Sequence, residues 1–302
     1  MSHLRTKTIL FDLSHTEMLN INEEDFSELL ELLNDLGLTI KTNENNDLKK
    51  AQFESVDILV LGNPINEYFS KNEFKEIINY VREGGSLLLI SEYGADYLQK
   101  TNLNDLSGNE FGIYFQKNLI KEKNEFNENC SSILKIRNFN HHEITSQLRE
   151  IIIGGSCSLI LNGKAKPLIE TDESAWTETY DEAKNEWLKD AGTEGVQKIA
   201  SYMQYGRGKV FCIGDIDIFS NDENIGIPRL DNRKFVRNVI NWLMEPPEEE
   251  DIFHWILNQM GNVQTNVNNL NRKINNIIES MSILEERISD VENMVHKDLK
   301  AK

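Results

Sequence analysis

Apolar positions along the first 95 residues alternate between two patterns. Short, nearly continuous runs at Thr8 to Phe11, Leu38 to Thr42, Val56 to Leu61 and Ser86 to Ile90 suit strands buried on both faces of a parallel sheet. Between them, Phe26, Leu29, Leu30, Leu32, Leu33 and Leu36 recur at helical spacing and stop at Gly37. Phe74, Ile77, Ile78 and Val81 form a second helical stripe, opened by Ser70 with Glu73 three residues on, the pattern of a capping box, and closed by Gly84-Gly85. Strand, helix, strand, helix with short glycine-marked joints predicts right-handed βαβ units and a doubly wound, mostly parallel α/β sheet.

The pattern is less regular from residue 96 to 205. A short helix is expected over Leu103 to Phe111, an exposed loop over Lys121 to Asn129, and a helix after the pair His141-His142. Ser158 to Leu161 reads as a strand, Ile169 to Tyr180 as strand or loop, and Glu182 to Gly195 gives no clear element. Ile199 to Gln204 and Lys209 to Ile213 read as a hairpin turning at Tyr205-Gly206-Arg207-Gly208, and Phe235, Val239, Ile240, Trp242 and Leu243 mark a last helix.

Pro246-Pro247-Glu248-Glu249-Glu250 interrupts any helix. Beyond it Phe253, Ile256, Met260, Val263, Val267, Leu270, Ile274, Ile277, Met281, Leu284, Ile288, Val291 and Val295 alternate three and four apart without a slip. A 3.5-residue repeat held for so long predicts a coiled coil, with Val263 through Val291 as its interface and dimer or trimer both open. The expected organisation is an α/β domain over 1–245, a linker over 246–251 and a long coiled-coil helix over 252–302. The asparagine-rich outer face, Asn266 to Asn276, lowers helix propensity and makes the helix dependent on a partner.

Charge narrows the partners. The formal net charge is -18. Residues 251–302 carry six basic and seven acidic side chains, a net of -1, which leaves -17 for residues 1–250. Such a surface repels nucleic acid and anionic membrane. No apolar run approaches the ~18 residues needed to span a bilayer, and three cysteines without metal spacing imply no disulfide framework. A cytoplasmic protein is expected, with protein partners and no cofactor or bound metal.

Candidate chemistry sits where strands end. Asp12 and His15 follow the first strand, Asn63 the third, Glu92 the fourth, and Asp215 with Asp217 the strand near the end of the domain. In open α/β sheets ligands bind beyond the carboxyl ends of the strands, so these six side chains are expected to face one groove. Converging Asp, Glu and His could bind a divalent metal or run acid/base chemistry, giving a hydrolase or metal-dependent enzyme. The alternative is that Asp12 and Asp215 accept backbone N–H bonds in turns while His15 is solvated. Gly206-Arg207-Gly208-Lys209 lacks phosphate-loop spacing, and Ser91 is expected to cap the next segment. An exposed Trp176 or Tyr93 beside the groove would suit a saccharide-binding module.

Several stretches together carry a family likeness. Phe11-Asp12-x-x-His15, Asp57-Ile-Leu-Val-Leu-Gly-Asn-Pro64, Gly84-Gly-Ser-Leu-Leu-Leu-Ile-Ser-Glu92, Phe139-x-His141-His142, Gly206-x-Gly-Lys-Val-x-x-Ile-Gly-Asp215 and Asn238-x-x-x-Trp242-Leu243 resemble the GIFT-type domain over roughly residues 5 to 245. That domain is an α/β fold like the class I glutamine amidotransferases, found in auxiliary proteins of gliding-motility ABC transporters and in a ciliary intraflagellar transport complex-B subunit. Amidotransferases of this fold place a Cys nucleophile after a central strand and a His and Glu late in the chain. Here the matching turn is Ser91-Glu92-Tyr93, without Cys, and no His-x-Glu pair follows Ile199. The resemblance therefore implies a non-catalytic scaffold or adaptor domain used for protein contacts or a small ligand, here joined to an oligomerising coiled coil.

Overall fold

The computed structural model describes residues 6–44, 47–123 and 132–246, and in the tail residues 256–257, 260, 263–264, 266–278 and 280–282. Contacts divide the chain into two compact units, Met1–Glu248 and Glu249–Lys302.

In the first unit the strands are β1 (Thr8–Asp12), β2 (Thr39–Asn43), β3 (Ile58–Gly62), β4 (Ser86–Ile90), β5 (Ile113–Phe115), β6 (Asn118–Lys121), β7 (Ile133–Ile136), β8 (Asn138–Phe139), β9 (Ile151–Gly154), β10 (Leu159–Leu161), β11 (Lys166–Glu170), β12 (Trp176–Asp181), β13 (Glu186–Lys189), β14 (Lys198–Tyr205) and β15 (Gly208–Ile213). The helices are α1 (Ser27–Asp35), α2 (Lys71–Arg82), α3 (Ala95–Gln99), α4 (Leu103–Phe111) and α5 (Asn232–Met244). An eight-stranded sheet runs in the order β2-β1-β3-β4-β15-β14-β11-β8. Its first five strands are mutually parallel and its last three antiparallel to their neighbours, so the sheet is mixed but mostly parallel at its centre.

The two-residue period of each strand assigns alternate side chains to opposite cores. Ile9, Phe11, Ile58, Val60, Leu88, Ile90, Phe211 and Ile213 pack with the apolar stripes of α1 and α5. Leu10, Leu59, Leu61, Leu87, Leu89, Val210 and Cys212 pack on the other face with Ile77, Tyr80 and Val81 of α2 and Leu103, Leu106 and Phe111 of α4. Helices on both faces explain why these strands read as continuous apolar runs. The capping box at α2 is formed, Ser70 Oγ accepting from Glu73 N and the Glu73 carboxylate accepting from Ser70 N.

Smaller sheets fill the long connection from β4 to β14: β5 pairs with β10, β12 with both β6 and β13, and β7 with β9. Two expectations are corrected here. No helix follows His141-His142: residues 144–147 are turns, and the β-branched run Ile151–Ile153 is strand β9, held antiparallel to β7. The charged segment 182–195 holds β13, hairpinned onto β12.

In the second unit every described residue between 256 and 282 is helical. Val263, Val267, Leu270, Ile274, Ile277 and Met281 are each at least 44% exposed, so within one chain the apolar seam is uncovered. Leu284, Ile288 and Val291, residues 247–251 of the expected linker, residues 124–129 of the expected loop, and Cys130 lie outside the described residues.

Candidate functional site

β1 ends between β2 and β3, and the connections from it run in opposite directions across the sheet. This is the topological switch point, where a parallel α/β sheet opens a crevice. Asp12, the last residue of β1, is 1% exposed. Its Oδ1 accepts from Asn43 Nδ2 at 2.7 Å and Ser14 Oγ at 2.8 Å, and its Oδ2 lies 2.7 Å from His15 Nδ1. His15 is buried, stacked on Phe69 with ring centroids 3.9 Å apart, and its Nε2 lies 3.2 Å from Glu73 Oε1. The expected solvated turn histidine is therefore corrected: two carboxylates and an aromatic ring draw it out of water.

Glu17 completes the group. It is 6% exposed; its Oε2 accepts from His15 N at 3.1 Å, and its Oε1 lies 3.8 Å from His15 Nδ1 and receives no hydrogen bond, so Glu17 meets Asp12 only as a donor, with a proton of its own. Burial, followed by the charge of Asp12, pushes the Glu17 carboxyl up to about 10. For Asp12 burial also works upward, but hydrogen bonds from His15, Glu17 and Asn43 outweigh it and hold the carboxyl below its ordinary value. For His15 burial works downward, and the hydrogen bond and charge of Asp12 with the charge of Glu73 override it and raise the imidazole. With one ring nitrogen facing Asp12 and the other facing Glu73, His15 has no nitrogen open to a substrate from which it could abstract a proton.

The crevice is filled by the chain itself. Met18 N donates to Asn63 O at 3.1 Å and Leu19 N to Gly62 O at 3.0 Å. Leu19 is 1% exposed, and a Cβ added to Gly62 would lie 2.6 Å from Leu19 Cβ, so glycine is what lets the loop seat on the end of β3. Asn63 Nδ2 lies 2.8 Å from Met18 Sδ, while Asn63 Oδ1 is buried without a partner.

A second acidic group sits past β4 and β15. Glu92 Oε1 accepts from Tyr93 N at 2.9 Å and its Oε2 from Ile216 N at 3.1 Å. Asp215 Oδ1 accepts from Asp217 N at 3.2 Å and Oδ2 from Ile218 N at 3.3 Å. Burial, then the charges of Asp215 and Asp217, raises Glu92 well above the carboxylate range; burial, then Asp217, does the same for Asp215. Asp217 is pushed up to about 6 by burial and by Asp222. Asp215 thus closes a turn by accepting backbone N–H bonds, as the dull reading of the sequence had it.

Five of the six candidate side chains fall into two groups, and Asn63 follows the end of β3. Asp12, His15 and Glu17 form one cluster and Glu92, Asp215 and Asp217 another. β3 and β4 stand between β1 and β15, three interstrand spacings or about 14 Å. The two groups therefore gather at separate strand ends.

The turn after β4 carries no nucleophile. Ser91 is 1% exposed, and the N-cap of the following helix is Gly94, so Ser91 does not cap it. Cys157 lies close by, where a Cβ on Gly214 would come within 2.8 Å of its Sγ, but it is fully buried, and burial followed by the charge of Glu92 raises its thiol. Of the two aromatic candidates, Tyr93 is 40% exposed and edge-on to Trp187. Trp176 carries Lys189 Nζ 5.0 Å from its ring centroid and donates Nε1–H to Glu178, so it is not an open platform. Glu17 and Glu73 escaped the sequence reading as site residues: Glu73 was visible only as a helix cap, and Glu17 stands in a loop with no periodicity.

Residues 8–126 match the family model described as the IFT52 GIFT domain. This stretch is similar to a GIFT-type domain. Among solved structures, the mmIFT52 N-terminal domain is 18% identical with a TM-score of 0.65, the alignment covering 78% of this chain and 97% of that one. A cytoplasmic protein, STM1381, from Salmonella typhimurium LT2 is 15% identical with a TM-score of 0.51, over 80% of this chain and 100% of that one. No curated protein matches. At these identities the likeness is one of fold, and the alignments run well past residue 126. Among the described residues no helix is long and apolar enough to cross a membrane.

Proposed function

We propose that the chain is a non-catalytic adaptor whose GIFT-type domain binds protein partners and whose C-terminal helix joins copies, or joins it to another chain, through a coiled coil. The observation that carries this reading is the filled switch point. Leu19 and Glu17 occupy the place where this class of sheet admits a ligand, and His15 is spent on two carboxylates. The turn after β4 offers only a buried Ser91. The likeness to the IFT52 domain supports partners within a transport assembly of the intraflagellar type, and a cytoplasmic or ciliary location goes with it. Domain limits of 1–245 and 252–302 around a short linker fit this use, since linked copies raise the effective concentration of each weak contact.

Two measurements test it. Sedimentation of the full chain at about micromolar concentration should give a dimer or larger species, and Ile274→Asp should return it to monomer, because a charge at a core position costs more than the seam supplies there. A wild-type monomer would sink the oligomer half. Glutamine-dependent ammonia release should be absent; turnover lost in Cys157→Ser would overturn the non-catalytic half.

A further inference from the structure

The cluster at the end of β1 has a geometry that pairing among side chains leaves unfinished. Each of its two outer acids is held from behind by one oxygen, and the other faces His15 Nδ1; an ion bound there would displace the proton now shared between Nδ1 and Asp12 Oδ2. Asp12 Oδ1 is engaged by Asn43 and Ser14, leaving Oδ2 against His15 Nδ1. Glu17 Oε2 is engaged by His15 N, leaving Oε1, buried and receiving no hydrogen bond, 3.8 Å from the same Nδ1.

We propose that Asp12 Oδ2, His15 Nδ1 and Glu17 Oε1 form a site for one divalent transition-metal ion, zinc being the best match, with Glu73 orienting His15 from behind. One ligand atom from each of Asp12, His15 and Glu17 lies within 4.8 Å of the others. Zinc bonds to nitrogen and oxygen of about 2.0–2.1 Å in a tetrahedron put ligand atoms about 3.3 Å apart, and the separations of 2.7 and 3.8 Å from His15 Nδ1 bracket that value. Glu73 Oε1 lies 3.2 Å from Nε2, so the ring nitrogen away from the ion donates to a carboxylate, the usual way a metal-binding histidine is oriented. Glu73 is itself fixed by Ser70 N and Leu48 N, which makes it a rigid support. One imidazole and two carboxylates suit zinc better than magnesium or calcium, which take six or more oxygens. A water would fill the fourth position.

The ion would be structural. It would tie the loop that seals the switch point to β1 and, through His15 and Glu73, to the start of α2. The proposal stands apart from the adaptor reading, because a sealed crevice with or without an ion remains sealed.

The test uses the full, untagged chain, stripped with a chelator and titrated with zinc chloride. Expected are one zinc per chain retained through gel filtration and a rise in the unfolding temperature of the α/β domain. Glu17→Gln, of the same shape, should weaken binding at least about tenfold, and Glu73→Gln by about 10–100-fold. Cobalt in place of zinc should give visible absorption bands of a tetrahedral nitrogen and oxygen site. Those bands should shift in Glu73→Gln, which a role confined to capping α2 would not produce, and vanish in His15→Asn. Circular dichroism confirms that each variant is folded. If the folded wild-type chain retains no zinc, or Glu17→Gln binds as wild type does, the ion is absent and a proton shared between Glu17 and Asp12 is what holds the cluster.

Discussion

Asp217 shows how burial of a single carboxyl sets the pH response of the domain. Its folded value of about 6 lies above the roughly 3.9 of an unfolded aspartate, so the folded state holds its proton more tightly. The stability this contributes is complete below about pH 4 and is lost as pH rises through 6. Glu92 and Asp215, raised further by burial, extend the loss to higher pH. His142 acts in the opposite sense. Burial and then the charges of Lys209 and Lys166 hold it down to about 4, so its contribution is full above an ordinary histidine value and fades as pH falls toward 4. Comparing Asp217→Asn with wild type cancels His142. The urea midpoint of the variant should gain on wild type steadily between about pH 4.5 and 7, and parallel profiles would show that Asp217 is not the buried acid responsible.

At the scale of elements, the joint between α2 and β15 leaves no room for a side chain. A Cβ on Gly208 would fall 2.1 Å from Gly85 O and 2.2 Å from Val81 O, backbone atoms that cannot swing aside. Gly208→Ala should therefore lower stability by about 1–3 kcal/mol, measured as a shift in urea midpoint at constant slope. The five parallel strands and α1, α2 and α5 were readable because burial on both faces leaves runs and stripes in the sequence. The short strands β7, β8, β9 and β13 were not, since two to four residues carry no period and their pairing is set by residues far along the chain. The same limit governed the site. Strand ends exposed Asp12, His15, Glu92, Asp215 and Asp217, but which of them meet depends on β15 lying beside β4 and not β1, a fact of topology. Glu73 could be read as a cap because capping is local; its approach to His15 spans 58 positions and is not.

For the whole molecule, the division of charge and of exposed apolar surface predicts how assembly responds to solution conditions. The unit Met1–Glu248 has its own two-sided core, whereas the helical residues of the unit Glu249–Lys302 leave their apolar seam in solvent. A helix with an asparagine-rich outer face gains too little within one chain to be stable alone. Its melting, followed by circular dichroism at the helical band, should rise with protein concentration, while the unfolding of the α/β domain should not. The net charge is -17 over residues 1–250 and -1 over the rest, so copies joined through the tail bring strongly like-charged domains together. Repulsion of that kind is screened as the Debye length shrinks from about 10 Å at 0.1 M salt to about 3 Å at 1 M. Self-association should therefore tighten with added sodium chloride, opposite to an assembly held by salt bridges between the tails. A helical transition that ignores both concentration and salt would mean that the seam is satisfied within a single chain.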